Sequence, residues 1–322
     1  MFTFHIEKEP VKPVVTQSEL IDLLVIGAGP AGLNAALYAK RKGLSVVILT
    51  KEIGGQLRNT TDVDNYLGFK EVQGEELAHS FLNHVTSLDV PIMKQTEVQT
   101  ITKENDLFLV KTNDTAYQAK TLLITTGGAP RKLAVPGERE FANKGVSYCT
   151  TCDAPFFKDK HVIVAGGGNS AAEAVLDLVP WANKITVVHR SNWRADPIIL
   201  DKLNKIPNLT IYLNTQIEEV VGDKLMKGVN IINKQTNQKN FLAADGLFVE
   251  IGTIPNSNPV AHLVKLNEQK EIIVDSKQMT SLPGLFAAGD VTDQPHKQII
   301  IAAAQGAVAA LSADQYIKKE RK

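Results

Sequence analysis

Cysteine is scarce in this chain, with two among 322 residues. So few cannot staple a disulfide-rich secreted scaffold. Nor can they complete a four-ligand structural zinc site by themselves. Charge of one sign is not in excess either: 35 Lys and Arg stand against 35 Asp and Glu, for a formal net charge of zero. That balance argues against a nucleic-acid binder working through a broad basic surface. Long apolar runs are missing, since the stretches 23–39 and 299–313 are shorter than the ~20 residues a membrane span requires. Residues 1–19 carry His5, Glu7, Lys8, Glu9 and Lys12 with no apolar core region, unlike a signal peptide. They are expected to pack as an extension on the first strand, and the protein is expected to be soluble and cytoplasmic. The remainder is 43% hydrophobic and 22% charged, an ordinary globular composition. At roughly 150 residues per domain, the length suits two domains.

Two glycine-punctuated units organise the chain. The apolar run 20–26 leads into Gly27-Ala28-Gly29-Pro30-Ala31-Gly32, then an alanine-rich helix to Lys42 and a β-branched strand ending at Thr50. The pattern recurs from His161: a strand, the turn Gly166-Gly167-Gly168-Asn169-Ser170-Ala171, a helix to about Val179, and a strand 184–189. Each reads as a βαβ unit. Two further apolar strands, 121–128 and 245–252, flank the second unit. A late strand reaches Ala288-Gly289-Asp290, and an alanine-rich helix runs from Gln298 to about Ile317. The expected class is α/β, with two Rossmann-like three-layer nucleotide-binding domains, one inserted in the other. Residues 1–118 and 250–322 form one discontinuous domain in this reading, and 119–249 form the insert.

The GxGxxG at Gly27, Gly29 and Gly32 lies between a strand and a helix, the context that a dinucleotide fingerprint needs. Its glycines permit a tight turn, close approach to a pyrophosphate and close helix–strand packing. The helix start supplies N–H donors for phosphate. The acid usually found at the end of the second strand is absent: Thr50 and Lys51 stand there, with Glu52 following. That disfavours a simple NAD site and suits a flavin nucleotide held partly by other segments. Asp290 is a candidate for a second flavin contact, or a helix N-cap. In the second unit Gly166, Gly168 and Ala171 give GxGxxA, and the following strand ends in His189-Arg190 with Arg194 beyond. Cations in place of an acid favour a 2′-phosphate, hence NADPH over NADH.

The two cysteines sit together as Cys149-Thr150-Thr151-Cys152, followed by Asp153. In a cytosolic α/β protein this spacing reads as a redox pair rather than half a metal site, and no metal is expected. Asp153 is a candidate for moving a proton to or from the departing thiolate, or for capping a turn.

The stretches Gly27–Gly32, Gly54-Gly55-Gln56-Leu57, Asn65-Tyr66-Leu67-Gly68, Cys149–Asp153, Gly166–Ala171 and Ala288-Gly289-Asp290-Val291 together resemble the low-molecular-weight thioredoxin reductases. These are class II of the pyridine nucleotide-disulfide oxidoreductases, and the resemblance extends from Leu23 to about Ala313. It implies FAD in the discontinuous domain, a nicotinamide nucleotide in the insert, a homodimer, and thioredoxin or a thioredoxin-like protein as partner. FAD contacts are then expected from Gly27, Gly29, Pro30, Ala31, Gly32, Thr50, Lys51, Gly55, Gln56, Leu57, Asn65, Gly127, Asp290, Lys297, Gln298 and Ile299. NAD(P)H contacts are expected from Gly166, Gly168, Asn169, Ser170, Ala171, His189, Arg190, Arg194, Ile251 and Gly252. The resemblance assigns Cys152 to the flavin side and Cys149 to attack on the protein substrate.

Three positions depart from the family pattern. The signature His-Arg-Arg is His189-Arg190-Ser191 here, one cation fewer, which leaves NADPH, NADH or weak dual use open. Ala154 replaces the common glycine after Cys-Asp. The run Lys297-Gln298-Ile299-Ile300-Ile301-Ala302 is closer to the flavoprotein reductase of the alkyl hydroperoxide system, which carries an extra N-terminal thioredoxin-like region. The short stretch before the first strand predicts no such built-in module here, and hence a separate acceptor protein. Two further readings stay open: a ferredoxin-linked flavoenzyme, and a flavin-bearing redox sensor without turnover.

Overall fold

In the computed structural model, residues 20–60 and 62–320 are described; the expected N-terminal extension, 1–19, lies outside them. Six helices occur among the described residues: α1 (Pro30–Arg41), α2 (Gly74–Thr86), α3 (Thr150–Asp153), α4 (Asn169–Leu178), α5 (Pro197–Leu203) and α6 (Ile299–Glu320). The chain divides into two units. One runs through Asn59, resumes over Gln73–Gly128 and again from Pro255; the other comprises Thr60–Val72 and Ala129–Ile254.

The first unit is built on the strand Ile21–Ala28. It pairs in parallel with Val46–Ile53 on one side and Ala116–Ile124 on the other, so that Leu24 faces both Val47 and Leu122. Leu285–Ala287 joins Ala116–Ile124 in parallel, and an antiparallel hairpin of Val98–Glu104 and Leu107–Thr112 extends the seven-stranded sheet. Alternation along the first strand serves both faces. Leu23 and Val25 join a core with Ala35, Ala36 and Ala39 of α1 and Ala309, Ala310 and Ala313 of α6. Leu24 and Ile26 join a second core with Ile101, Phe108 and Val110. Each fully buried Leu, Ile or Val contributes roughly 1.5–3 kcal/mol. The small residues let the helices approach closely: a Cβ on Gly306 of α6 would lie 2.0 Å from the Ala31 carbonyl oxygen of α1.

The second unit repeats the plan. Five parallel strands lie in the order Val146–Ser147, Gly246–Val249, His161–Ala165, Lys184–Val188, Leu209–Tyr212. Val162 and Val164 pack on Ala171, Val175 and Leu178 of α4. On the other face Ile163 and Ala165 pack on Val229 and Ile231 of an antiparallel three-stranded sheet.

Four expectations need correction. The crossings fall at Gly128/Ala129 and Ile254/Pro255, not 118/119 and 249/250. Residues 119–128 stay with the first unit because Ala116–Ile124 hydrogen-bonds along Ile21–Ala28. Thr60–Val72, expected in the first unit, groups with the second. The strand expected to end at Thr50 continues to Ile53, with Ala28 paired to Ile53 across a register shift. Asp290 caps no helix, since α6 begins only at Ile299.

Candidate functional site

The first glycine turn is locked by its own packing. Gly27 has φ +111°, and a Cβ there would lie 2.4 Å from the Thr125 carbonyl oxygen. A Cβ on Gly32 would meet the Gly27 carbonyl oxygen at 2.0 Å. Thr125 holds the turn from the neighbouring strand, its hydroxyl donating to the Ile26 and Gly27 carbonyls at 3.0 Å each. A Cβ on Gly29, the N-cap of α1, would have only the Gly55 Cα within 4 Å, at 3.9 Å, and Pro30 begins the helix with no acid in the first turn. The backbone is thereby exposed beside free N–H groups, which suits a pyrophosphate.

Other segments of the same unit converge here. The Gly54 N–H donates to the Ala28 carbonyl at 2.8 Å, which seats the short 3₁₀ turn Gly55–Asn59 against the glycine loop. Within that turn Leu57 is buried and Gln56 Nε2 donates to the Gly128 carbonyl at 2.8 Å. Gly127, at φ +67°, has open space on its Cβ side. A Cβ on Gly289 would lie 3.2 Å from the Ala31 Cβ, and the Gly289 N–H donates to Gln305 Oε1 at 2.9 Å. Asp290 follows at once; burial pushes its carboxyl up and the Lys297 ammonium opposes this. Lys297 Nζ lies 3.1 Å from Glu271 Oε1 and donates to the Thr292 carbonyl, just before Gln298 and the start of α6 at Ile299.

Three more residues expected at the flavin have these surroundings. Thr50 is buried and its hydroxyl donates to the Glu52 carbonyl. Lys51 is exposed and ion-paired with Glu97. Asn65 lies in the segment that groups with the second unit.

In the second unit, Gly166 has φ +155° and a Cβ there would meet the Glu250 carbonyl oxygen at 2.2 Å. Ala171 packs beneath it. Gly168, the N-cap of α4, faces open space, followed by Asn169 and the exposed Ser170. Asn169 and Asp196 are joined twice: Asn169 Nδ2 donates to Asp196 Oδ2 at 3.0 Å, and the Asp196 N–H donates to Asn169 Oδ1 at 2.8 Å. His189 is buried, its ring against Gly167. Burial first, then Arg194 and Arg190, hold its imidazole below the usual histidine range. Its Nε2 lies 3.0 Å from the Ser191 hydroxyl. Arg190 and Arg194 are exposed, and the Arg194 N–H donates to the Gly167 carbonyl at 2.7 Å. Ile251 and Gly252 follow the strand Gly246–Val249, and the Gly252 carbonyl accepts the Arg131 N–H at 2.9 Å.

The same unit carries a closed Cys149–Cys152 disulfide, with the two Cα atoms 5.3 Å apart. Cys149 is the N-cap of the one-turn helix α3, and the Asp153 N–H closes that turn on the Cys149 carbonyl at 3.1 Å. The Cys149 N–H donates to the Ser147 hydroxyl at 3.1 Å. Thr150, between the cysteines, is buried and donates its hydroxyl to Glu250 Oε1 at 2.7 Å. Burial pushes the Glu250 carboxyl up to about 7; Asp177 and Glu173 add to the shift and the Thr150 hydroxyl and N–H oppose it.

Thr125, Gln305 and Glu250 were not legible from sequence. Each acts through a contact between residues far apart in the chain, and no spacing marks it. Among the described residues, no group of three or more His, Cys, Asp or Glu could hold a metal, and no helix is long and apolar enough to cross a membrane.

Comparison with known proteins agrees with this arrangement. The family model described as pyridine nucleotide-disulphide oxidoreductase matches residues 21–308. The solved thioredoxin reductase from Streptococcus pyogenes has a TM-score of 0.88 at 38% identity, covering 93% of this chain and 99% of that one. That from T. acidophilum has a TM-score of 0.63 at 39% identity, with the same coverages of 93% and 99%. Among curated relatives, an NADH dehydrogenase of Bacillus subtilis (strain 168) is 39% identical over 93% of this chain. A subunit of the alkyl hydroperoxide reductase from Staphylococcus aureus (strain MRSA252) is 40% identical, again over 93%. The chain spans 59% of the length of each of those two relatives. A match over most of the chain, on two glycine turns and a closed CxxC disulfide, places it in the pyridine nucleotide-disulphide oxidoreductase family, in its class II, thioredoxin reductase-like branch.

Proposed function

We propose that this chain is a flavin-dependent disulfide reductase, passing electrons from a nicotinamide nucleotide to thioredoxin or a thioredoxin-like protein through Cys149 and Cys152. The observation that carries the reading is the closed Cys149–Cys152 disulfide in the unit that also holds the Gly166–Ala171 turn. Bound flavin supplies a two-electron relay between a nicotinamide hydride and a disulfide.

The protein's own residues bind, orient and move protons. Gly29 and Gly127 leave the space, and the α1 start the N–H donors, for the flavin's phosphates. Asp290 and Lys297 offer a carboxyl and an ammonium at the edge of that cradle. Gly168 and the start of α4 do the same for the nicotinamide nucleotide. In the reduced pair, the Cys149 thiolate attacks a partner disulfide; one partner sulfur leaves as a thiolate and Cys149 is joined to the other. Cys152 then attacks Cys149, releasing the second partner thiolate and re-forming the Cys149–Cys152 bond. Asp153, on the same turn, exchanges the proton with the thiols.

NADPH is the favoured donor, on the cations Arg190 and Arg194. NADH has its own support: Ser191 replaces the second arginine and is joined to His189, and similar proteins carry the name NADH dehydrogenase. Anaerobic titration with NADPH and, separately, NADH decides between them by loss of the oxidised flavin band. Bleaching by neither, but by a ferredoxin, would favour the ferredoxin-linked reading. A protein that takes up no FAD sinks all three. Cys149→Ser is expected to leave flavin reduction intact and abolish reduction of thioredoxin; turnover surviving that change refutes the electron route. A homodimer is expected in light scattering.

A further inference from the structure

The redox turn has a support that its own sequence does not supply. A helix start leaves N–H groups without intrahelical partners, normally met by the N-cap side chain. In α3 the N-cap is Cys149, whose sulfur is committed to the disulfide and makes no cap bond. The acceptor arrives instead from Glu250, at the end of the strand Gly246–Val249 and a hundred positions along the chain. Its carboxylate takes the Thr150 hydroxyl at 2.7 Å and also feels the Thr150 N–H. The backbone of Glu250 is fixed too: its N–H donates to the Ala165 carbonyl at 2.8 Å, and its carbonyl closes over Gly166. One residue thus joins the turn between the cysteines to the turn that opens α4.

We infer that Glu250 is a positioning residue for the Cys149–Cys152 pair, and that its protonation state sets how readily the disulfide opens. As a carboxylate it accepts from both donors of Thr150 and holds the turn; protonation removes an acceptor and the charge. The groups acting on it are the acidic Glu173 and Asp177 of α4 and the uncharged Thr150 of α3, whose other titratable side chain is Asp153. Burial and the two α4 acids favour its proton, so it titrates near pH 7 rather than far below. Misplacement of reacting atoms by about 1 Å can cost on the order of 100-fold in rate, so a partial loosening is readable kinetically.

The inference rests on the reading of the disulfide as a redox pair, and its test needs neither a nicotinamide donor nor thioredoxin. The flavin-loaded protein is opened with tris(2-carboxyethyl)phosphine from pH 5.5 to 8.5, quenched by alkylation, and the cysteines are counted by mass spectrometry. The ratio of the wild-type rate to that of Glu250→Gln cancels the titration of the reagent. It is expected to change by roughly 5- to 10-fold through pH 7 and to level off on either side. Thr150→Ser, which keeps the hydroxyl, is expected to retain the wild-type profile, and Thr150→Val to follow Glu250→Gln. A ratio that is flat with pH, or a Thr150→Val profile equal to wild type, overturns the inference alone. A disulfide that the phosphine never opens in the wild type overturns the inference and the redox reading together.

Discussion

At the scale of single residues, Glu250 makes a thermodynamic prediction separate from its kinetic one. Its carboxyl titrates near 4.5 when the chain is unfolded and about 7 when folded. Between those values the folded state keeps a proton that the unfolded state has released, so its contribution to stability falls as pH rises and levels off above about 7. At 1.36 kcal/mol per pKa unit, the cost is on the order of 3 kcal/mol. Glu250→Gln is therefore expected to gain stability over wild type at pH 8 and to show little gain at pH 4.5, measured by denaturant unfolding at both. An equal difference at the two pH values contradicts the raised carboxyl. Ser191 is the other residue to test. Restoring the family's second cation by Ser191→Arg is expected to raise the NADPH:NADH ratio of kcat/KM by about tenfold, a charge-assisted contact of ~1.5 kcal/mol. An unchanged ratio would place nucleotide choice elsewhere.

At the scale of elements, the two glycine turns are not uniformly sensitive. Gly166→Ala places a methyl 2.2 Å from the Glu250 carbonyl oxygen at a φ that side chains rarely adopt, and is expected to cost on the order of 3 kcal/mol. Gly168→Ala meets nothing within 4 Å and is expected to cost no more than about 1 kcal/mol, the loss at an N-cap, while weakening nucleotide binding by filling the open cradle. Paired thermal melts and nucleotide titrations separate the two effects; equal destabilisation would refute the packing argument. These strand–turn–helix elements were legible because apolar periodicity and glycine punctuation are local signals. Their ends were less so. The strand Val46–Ile53 outran its expected end at Thr50 because Ile53 pairs with Ala28, a tertiary contact. The Asp290 segment is likewise a turn and not a helix start: the Gly289 N–H donates to the Gln305 side chain of α6, and the Thr292 hydroxyl donates back to the Gly289 carbonyl.

At the scale of the molecule, each unit has its own cores on both faces of its own sheet. Phe248 is fully buried in the second unit, edge-on to Phe157 with ring centroids 5.0 Å apart. Phe248→Ala is expected to cost about 3–5 kcal/mol. In calorimetry it should lower one unfolding transition while leaving in place a second, FAD-stabilised one; a single transition that shifts as a whole would show that the units unfold together. The amino-acid sequence by itself determined the α/β class, the two glycine fingerprints and the pairing of the only two cysteines, because these depend on period, turn chemistry and a separation of three positions. It also raised the expectation that one unit interrupts the other. Tertiary structure alone decided where the crossings fall, that Thr60–Val72 leaves the first unit, and that Glu250 supports the turn between the cysteines. Strand pairing and hydrogen bonds between residues a hundred positions apart follow from how the sheets close, which no local pattern records.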